Sequence, residues 1–215
     1  MDPTILALGI VILLFSVILH EVMHGFVALK FGDRTAELAG RLTLNPLPHI
    51  DPVGTILVPA ILILPAVLAG VSPSFVFGWA KPVPVNPFNF RDIKKGELFT
   101  SGAGVAANFG LAVIAALIFH LLPATISPLL PGLLSFVVQI NLLLGLFNLL
   151  PLPPLDGSKI LMTFLPPKLA AQYQAIERYG LFILILLWFI PLGNTTILGF
   201  VLGTSLGLLH SLLGV

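Results

Sequence analysis

The sequence predicts an all-α polytopic membrane protein with a small membrane-associated β element, built from about five to six hydrophobic segments around a buried polar site. Three observations lead there. Of the 215 residues, 57% are hydrophobic and only 9% are charged, against roughly a quarter charged in a soluble domain. Apolar runs near 5–29, 53–71, 98–122, 132–151, 179–192 and 196–213 recur from end to end, most of them long enough to cross a hydrocarbon core of about 30 Å. The stretches between them are rich in Pro, Gly and charge, so apolar segment and polar connection alternate along the chain. A soluble globular protein is excluded, and residues 1–215 read as one integral membrane domain with no separate soluble domain.

The first run lacks a basic leader region and contains His20, Glu21 and His24, so it reads as a retained span rather than a cleaved signal. In the connection that follows, Leu38, Leu42 and Leu44 are interleaved with small and polar residues ahead of Asn45-Pro46, a pattern that suits short strands near the membrane face. The run 53–71 contains Pro59 and Pro65. Either proline removes a helical hydrogen bond, which leaves two readings: a re-entrant element that dips and returns, or a kinked single span.

The next connection alternates Val83 and Val85 with prolines, as an edge strand or extended loop would. Lys30, Arg34 and Arg41 in the first connection and Lys81, Arg91, Lys94 and Lys95 in the second place both in the cytoplasm under the positive-inside rule. Both placements hold only if 53–71 does not cross. Phe75, Phe77 and Trp79 mark an interface, and His120 and His210, alone near segment ends, read as interfacial anchors.

Ten Lys and Arg nearly cancel nine Asp and Glu, for a formal charge of +1, so no charge excess points to nucleic acid or acidic ligands. With no cysteine, disulfides, Cys-ligated zinc and iron–sulfur clusters are excluded. Any metal must be held by His and carboxylate.

His20-Glu21-Val22-Met23-His24 has the HExxH spacing, which puts two imidazoles one turn apart on a helix face with the Glu nearby. Burying these groups in a lipid-spanning helix costs several kcal/mol unless they are paired or bound. A polar helix–helix contact is the bland alternative, but it has no reason to choose this spacing. Two His leave a zinc site one protein ligand short. The candidates are His49, His120, His210, Asp51, Asp92 and Asp156. Asp156 stands out because it ends NLLLGLFNLLPLPPLDG, directly after an apolar run. Pro151, Pro153 and Pro154 stop the helix there and Gly157 permits a tight turn, so Asp156 suits either a helix cap or a ligand on irregular backbone lining a polar cavity.

HEVMH in the first run and FNLLPLPPLDG in a later one resemble the site-2 protease family of intramembrane zinc metalloproteases, and GRLTLNPLPHIDPVGT and FGWAKPVPVNP resemble the connecting stretches of its compact prokaryotic members. The resemblance covers nearly the whole chain. It implies one Zn2+ per chain held by His20, His24 and Asp156, with Glu21 as the catalytic carboxylate and Asn148 helping to hold substrate or stabilise the oxyanion. SGAGVAANFG resembles the family's Gly-Pro-x-x-Asn stretch with Val105 at the usual proline, which makes Asn108 either a substrate contact or an interhelical hydrogen bond. His49, in NPLPHIDPVG with Asp51, is either a substrate contact or part of a Pro/Asp-stabilised turn.

The function implied is hydrolysis of a peptide bond in or near a transmembrane segment of a membrane-protein substrate, by a multi-pass protein of a prokaryotic cell membrane. The rival from another class is a metal-ion transporter or channel using the same His/Asp site. The lipid bilayer is a partner in either case, and no feature assigns an oligomeric state. Ligands of one ion lie within bonding distance, so His24 and Asp156 must reach the same depth and segments 5–29 and 132–151 must run parallel.

Overall fold

The computed structural model of the chain describes residues 3–68, 70, 78–123 and 126–215; Phe75 and Phe77 lie outside the described residues. Helix α1 (Pro3–Lys30) carries HExxH in its second half, and its 28 residues extend about 42 Å at about 1.5 Å per residue. Among the described residues, α1, α4 (Ile93–Leu121) and α5 (Leu129–Leu149) are long and apolar enough to cross a membrane. The other apolar segments form shorter helices: α3 (Val58–Leu68), α8 (Glu177–Phe189) and α9 (Ile197–Leu213). The expected five to six hydrophobic segments therefore resolve into three of spanning length and several shorter ones.

Cross-helix hydrogen bonds fix the directions of the three long helices. His20 meets Asn108 of α4 while His24, one turn later, meets Thr100, so α1 and α4 are antiparallel. Ser16 of α1 meets Asn141 of α5, and the chain leaving α5 brings Asp156 to His24, so α1 and α5 run parallel. Small residues make the close approach possible: Ala112, Ala115 and Ala116 of α4 pack against Val138 and Leu142 of α5, as expected where lipid gives no hydrophobic drive between helices.

The connection from α1 to α4 returns to where it left. Arg91 N–H donates to Phe31 O at 3.0 Å, and Asn86 N–H donates to Asp33 Oδ2 at 2.7 Å. Inside this connection, Asp51 caps a π-helical turn over Pro52–Leu57 by accepting from Val53 and Gly54 N–H, and α3 follows. Trp79 N–H donates to Gly54 O at 3.1 Å and Lys81 N–H to His49 O at 2.9 Å. Gly54 and Trp79, and His49 and Lys81, thus sit side by side. Arg41 donates to Lys81 O at 2.6 Å, which holds the two basic connections together at one end of the helices.

The β element lies elsewhere than expected. Thr35–Leu38 is a short helix, α2, begun by Asp33, whose carboxylate accepts from Thr35 N–H. Residues 81–85 form no described strand. Pro82 and Pro84 have no N–H to give a ladder, and the amides of Lys81 and Val83 are spent on His49 O and Glu21. The described strands are β1 (Pro191–Leu192) and β2 (Thr195–Thr196), an antiparallel hairpin between α8 and α9.

Candidate metal centre

The helical repeat of α1 sets His20 and His24 one turn apart, with ring centroids 4.6 Å apart in an edge-on arrangement. The third member arrives from α5. The Leu150–Pro154 run cannot continue that helix, and it is folded back onto the helix end, where Tyr173 of α7 (Pro167–Gln174) donates its hydroxyl to Pro151 O at 2.5 Å. Gly157 is needed for close approach rather than for a turn, since a Cβ there would lie 2.1 Å from Leu149 O. Asp156 opens the short helix α6 (Asp156–Met162), and its carboxylate faces the two imidazoles.

His20 Nε2 and His24 Nε2 are 3.0 Å apart, and each is 3.1 Å from Asp156 Oδ2. These are the atoms that could hold a metal ion. His24 Nδ1 lies 2.7 Å from Thr100 O, a carbonyl that can only accept, so Nδ1 carries a proton, and in the neutral ring Nε2 keeps the lone pair. His20 Nδ1 likewise donates to Asn108 Oδ1 at 2.6 Å. Asp156 Oδ2 is sealed from solvent without a hydrogen-bond partner. Three lone-pair atoms so close repel one another unless positive charge lies among them. Their spacing approaches the separation of about 3.3 Å that three ligands about 2.0 Å from one tetrahedral zinc would have. The donor set fits zinc.

Glu21 lies beside this group, one Oε2 accepting from Val83 N–H at 2.7 Å. Asn148 donates one amide hydrogen to Leu144 O at 3.0 Å. A cavity of about 470 Å³ is lined by His20, Glu21, His24, Val83, Asn148 and Asp156 among others, so the residues expected to act on substrate share one cleft.

Asn108 and His49 do not line it. Asn108 is 0% exposed and bonds His20, Ser16 and Asn141, so of its two readings the interhelical one describes its place. His49 is also 0% exposed, with Nε2 at 2.9 Å from Thr43 O and Nδ1 facing Arg41; it belongs to the turn. The remaining candidates for a third ligand are placed elsewhere: Asp51 and Asp92 cap helices, His120 bonds Leu213 O at 2.6 Å, and His210 lies in the last turn of α9. Trp79 packs on Gly54, where a Cβ would come within 2.3 Å of its ring.

Sequence reasoning passed over Gly104, Thr100, Ser16 and Asn141. A Cβ on Gly104 would lie 2.5 Å from His20 Cε1 and from His24 Nε2; the Gly-x-x-x-Asn spacing to Asn108 was its signal. Asn141 and Ser16 were visible as polar residues in apolar helices. Thr100 acts through its carbonyl, which no residue type announces.

The model of Peptidase family M50 matches residues 124–188, a stretch that holds Asn148 and Asp156. The chain is 40% identical over 192 residues to the Bacillus subtilis protein named Putative zinc metalloprotease YwhC, covering 86% of this chain and 81% of that one. The chain belongs to peptidase family M50, the site-2 protease family. Proteins named Putative zinc metalloprotease Rip2 are more distant: that of Mycolicibacterium smegmatis is 29% identical over 181 residues, 84% of this chain and 66% of its own length. The Rip2 of Mycobacterium tuberculosis is 29% identical over 192 residues, 87% of this chain and 69% of its own. No solved structure matches the chain. As an M50 member it is a zinc metalloendopeptidase of membrane character, with Zn2+ as its cofactor.

Proposed function

We propose that the chain is an intramembrane protease that hydrolyses a peptide bond in or beside a transmembrane segment of a membrane-protein substrate. The observation that carries this reading is the convergence of His20 Nε2, His24 Nε2 and Asp156 Oδ2 beside the Glu21 carboxylate, inside a cleft walled by helices of spanning length. His20, His24 and Asp156 would hold the zinc, which when bound would supply Lewis-acid chemistry toward a carbonyl and a water. Glu21 takes the proton of the attacking water and hands it to the leaving amine, and Val83 N–H keeps its carboxylate aimed. Asn148 offers an amide to the oxyanion.

A substrate helix satisfies its own backbone, so it must unwind locally before its carbonyl can enter the cleft. The run 81–85 borders the cleft through Pro82, Val83 and Val85, and an unwound segment would lie along it. Residues 1–215 act as one membrane domain in a prokaryotic cell membrane, with the two basic connections on the cytoplasmic side. Metal transport, the other reading of the same atoms, is not favoured by relatives named as metalloproteases.

The test is cleavage of single-span membrane proteins by wild type and Glu21→Gln in matched membranes, with zinc measured on both. We expect Glu21→Gln to keep its zinc and lose turnover by about 10²- to 10⁴-fold. Undiminished cleavage would remove Glu21 from the mechanism. Zinc flux into sealed vesicles without any cleavage would favour transport.

A further inference from the structure

Asn141 lies wholly buried in the middle of α5, two links away from the metal centre. One hydrogen of its amide goes to Val137 O and the other to Ser16 Oγ, both at 2.9 Å. A carbonyl accepts and cannot donate, so the Asn141 nitrogen must face Val137 and its oxygen must face Asn108. Asn108 Nδ2 donates to that oxygen at 2.9 Å and to Ser16 O at 3.4 Å. Its own oxygen is thereby turned onto His20 Nδ1. Ser16 Oγ donates to Ile12 O at 2.8 Å, so it meets Asn141 with a lone pair. Three backbone carbonyls, those of Val137, Ile12 and Ser16, therefore determine which way both side-chain amides point.

We propose that Ser16, Asn141 and Asn108 are positioning residues that fix His20 in its Nδ1–H tautomer and so keep its Nε2 lone pair directed at the zinc. The proposal rests on His20 being a zinc ligand. Neutral imidazole binds metal through an unprotonated nitrogen, and the partner of its other nitrogen decides which one that is. With Asn141 gone, Asn108 can turn over and present its NH2 to Nδ1. The ring then carries its proton on Nε2, and zinc has to displace it. A contact that merely glued α1, α4 and α5 together would need every polar atom satisfied but no particular direction.

The experiment compares purified wild type with Asn108→Leu, Asn108→Asp, Asn141→Leu and His24→Ala. Zinc affinity is read by competition with a chelator, and site geometry by the visible absorption of the Co2+-loaded proteins. We expect Asn108→Leu to weaken zinc binding by about 10- to 100-fold and Asn141→Leu by about tenfold. Asn108→Asp keeps an acceptor on Nδ1 but turns its other oxygen to Asn141 Oδ1 and Ser16 O, so it should lose stability yet lose less zinc affinity than Asn108→Leu and keep the wild-type cobalt spectrum, because a carboxylate is a common partner of a zinc-bound His. Wild-type affinity in both leucine variants, with zinc lost in His24→Ala, would overturn the proposal and leave the metal site standing. Wild-type affinity in His24→Ala would instead overturn the metal site. Equal losses in Asn108→Asp and Asn108→Leu would mean that packing, not direction, is what matters. Should Asn108→Asp fail to fold, Asn141→Leu, which leaves His20 and Asn108 in place, decides alone.

Discussion

The metal centre and the 31–92 connection both bury histidine and carboxylate, and they dispose of the polar atoms in opposite ways. In the connection, His49 spends one nitrogen on Thr43 O and turns the other to Arg41, while Asp33 accepts from Thr35, Asn86 and Asn89. These bonds tie the turns of the connection together, and among its described residues the buried Arg41 Nε alone is left without a partner, a donor with no acceptor cluster around it. At the metal centre each histidine spends one nitrogen on α4 and leaves the other facing Asp156 Oδ2. Burial alone therefore does not mark a site here. What marks it is three potential ligand atoms converging on one point, an arrangement that costs several kcal/mol unless positive charge lies among them.

The sharpest way to break this contrast is to remove one carboxylate from each region. Asp156→Ala should abolish zinc retention and turnover together if Asp156 is, as proposed, one of three protein ligands. Asp51→Ala, which removes a cap on the π-helical turn, should leave zinc content at the wild-type level and lower only stability, by about 1 kcal/mol. Metal analysis of the purified proteins checks both, and full zinc occupancy in Asp156→Ala would end the three-ligand reading.

A finer cut is made with two glycines on the same helix. An added Cβ at Gly104 would press on both imidazoles, whereas Gly102 has open space around its Cβ position. We expect Gly104→Ala to weaken zinc binding by about 10- to 100-fold, comparable to loss of an outer support of a ligand, and Gly102→Ala to bind as wild type. Chelator competition on both variants measures the difference; equal affinities would show that α4 does not shape the site.

These contrasts explain what could be read in advance. HExxH and Asp156 were legible because ionisable groups are costly in apolar helices and therefore stand out. The parallel course of α1 and α5 followed from requiring His24 and Asp156 to share one depth. Residues 35–38 and 81–85 were misjudged because alternation of side chains does not report where backbone amides go: Asp33 draws Thr35 N–H into a helical turn and Glu21 takes Val83 N–H. Asn108 and His49 were ambiguous for a related reason. Their residue types suit substrate contact or scaffold equally, and only the count of partners in three dimensions separates the two.

His49 should behave as scaffold when it is replaced. His49→Leu leaves the half-buried Thr43 O without its donor and takes the imidazole from beside Arg41, so we expect a loss of about 1–3 kcal/mol in stability with zinc content and Glu21-dependent cleavage unchanged. Thermal unfolding in detergent alongside metal analysis reads both quantities. A His49→Leu protein of normal stability with impaired cleavage would return His49 to the substrate side of the comparison.

The smallest effect lies at Asp33 and appears only as pH changes. Burial raises the pKa of its carboxyl, but the hydrogen bonds from the Thr35 hydroxyl, Asn86 N–H, the Asn89 amide and Thr35 N–H outweigh that and hold it below the ordinary carboxylate value. A carboxyl with a depressed folded-state pKa adds stability that is fully present above its unfolded value of about 3.9 and is lost as pH falls through the folded one. Asp33→Asn keeps the shape but turns an NH2 toward N–H groups that need an acceptor. At neutral pH it should be less stable than wild type by about 1–2 kcal/mol. As pH falls below about 3.9 the Asp33 contribution is lost from wild type only, so the gap between the two unfolding curves should narrow even as the other carboxyl groups titrate in both proteins. Because the group lies at the hinge between α1 and the 31–92 connection and not in the cleft, zinc occupancy at neutral pH should be the same in both. A stability gap that stayed constant from neutral to acid pH would mean that the Asp33 carboxylate contributes shape alone and that its charge does nothing for this junction.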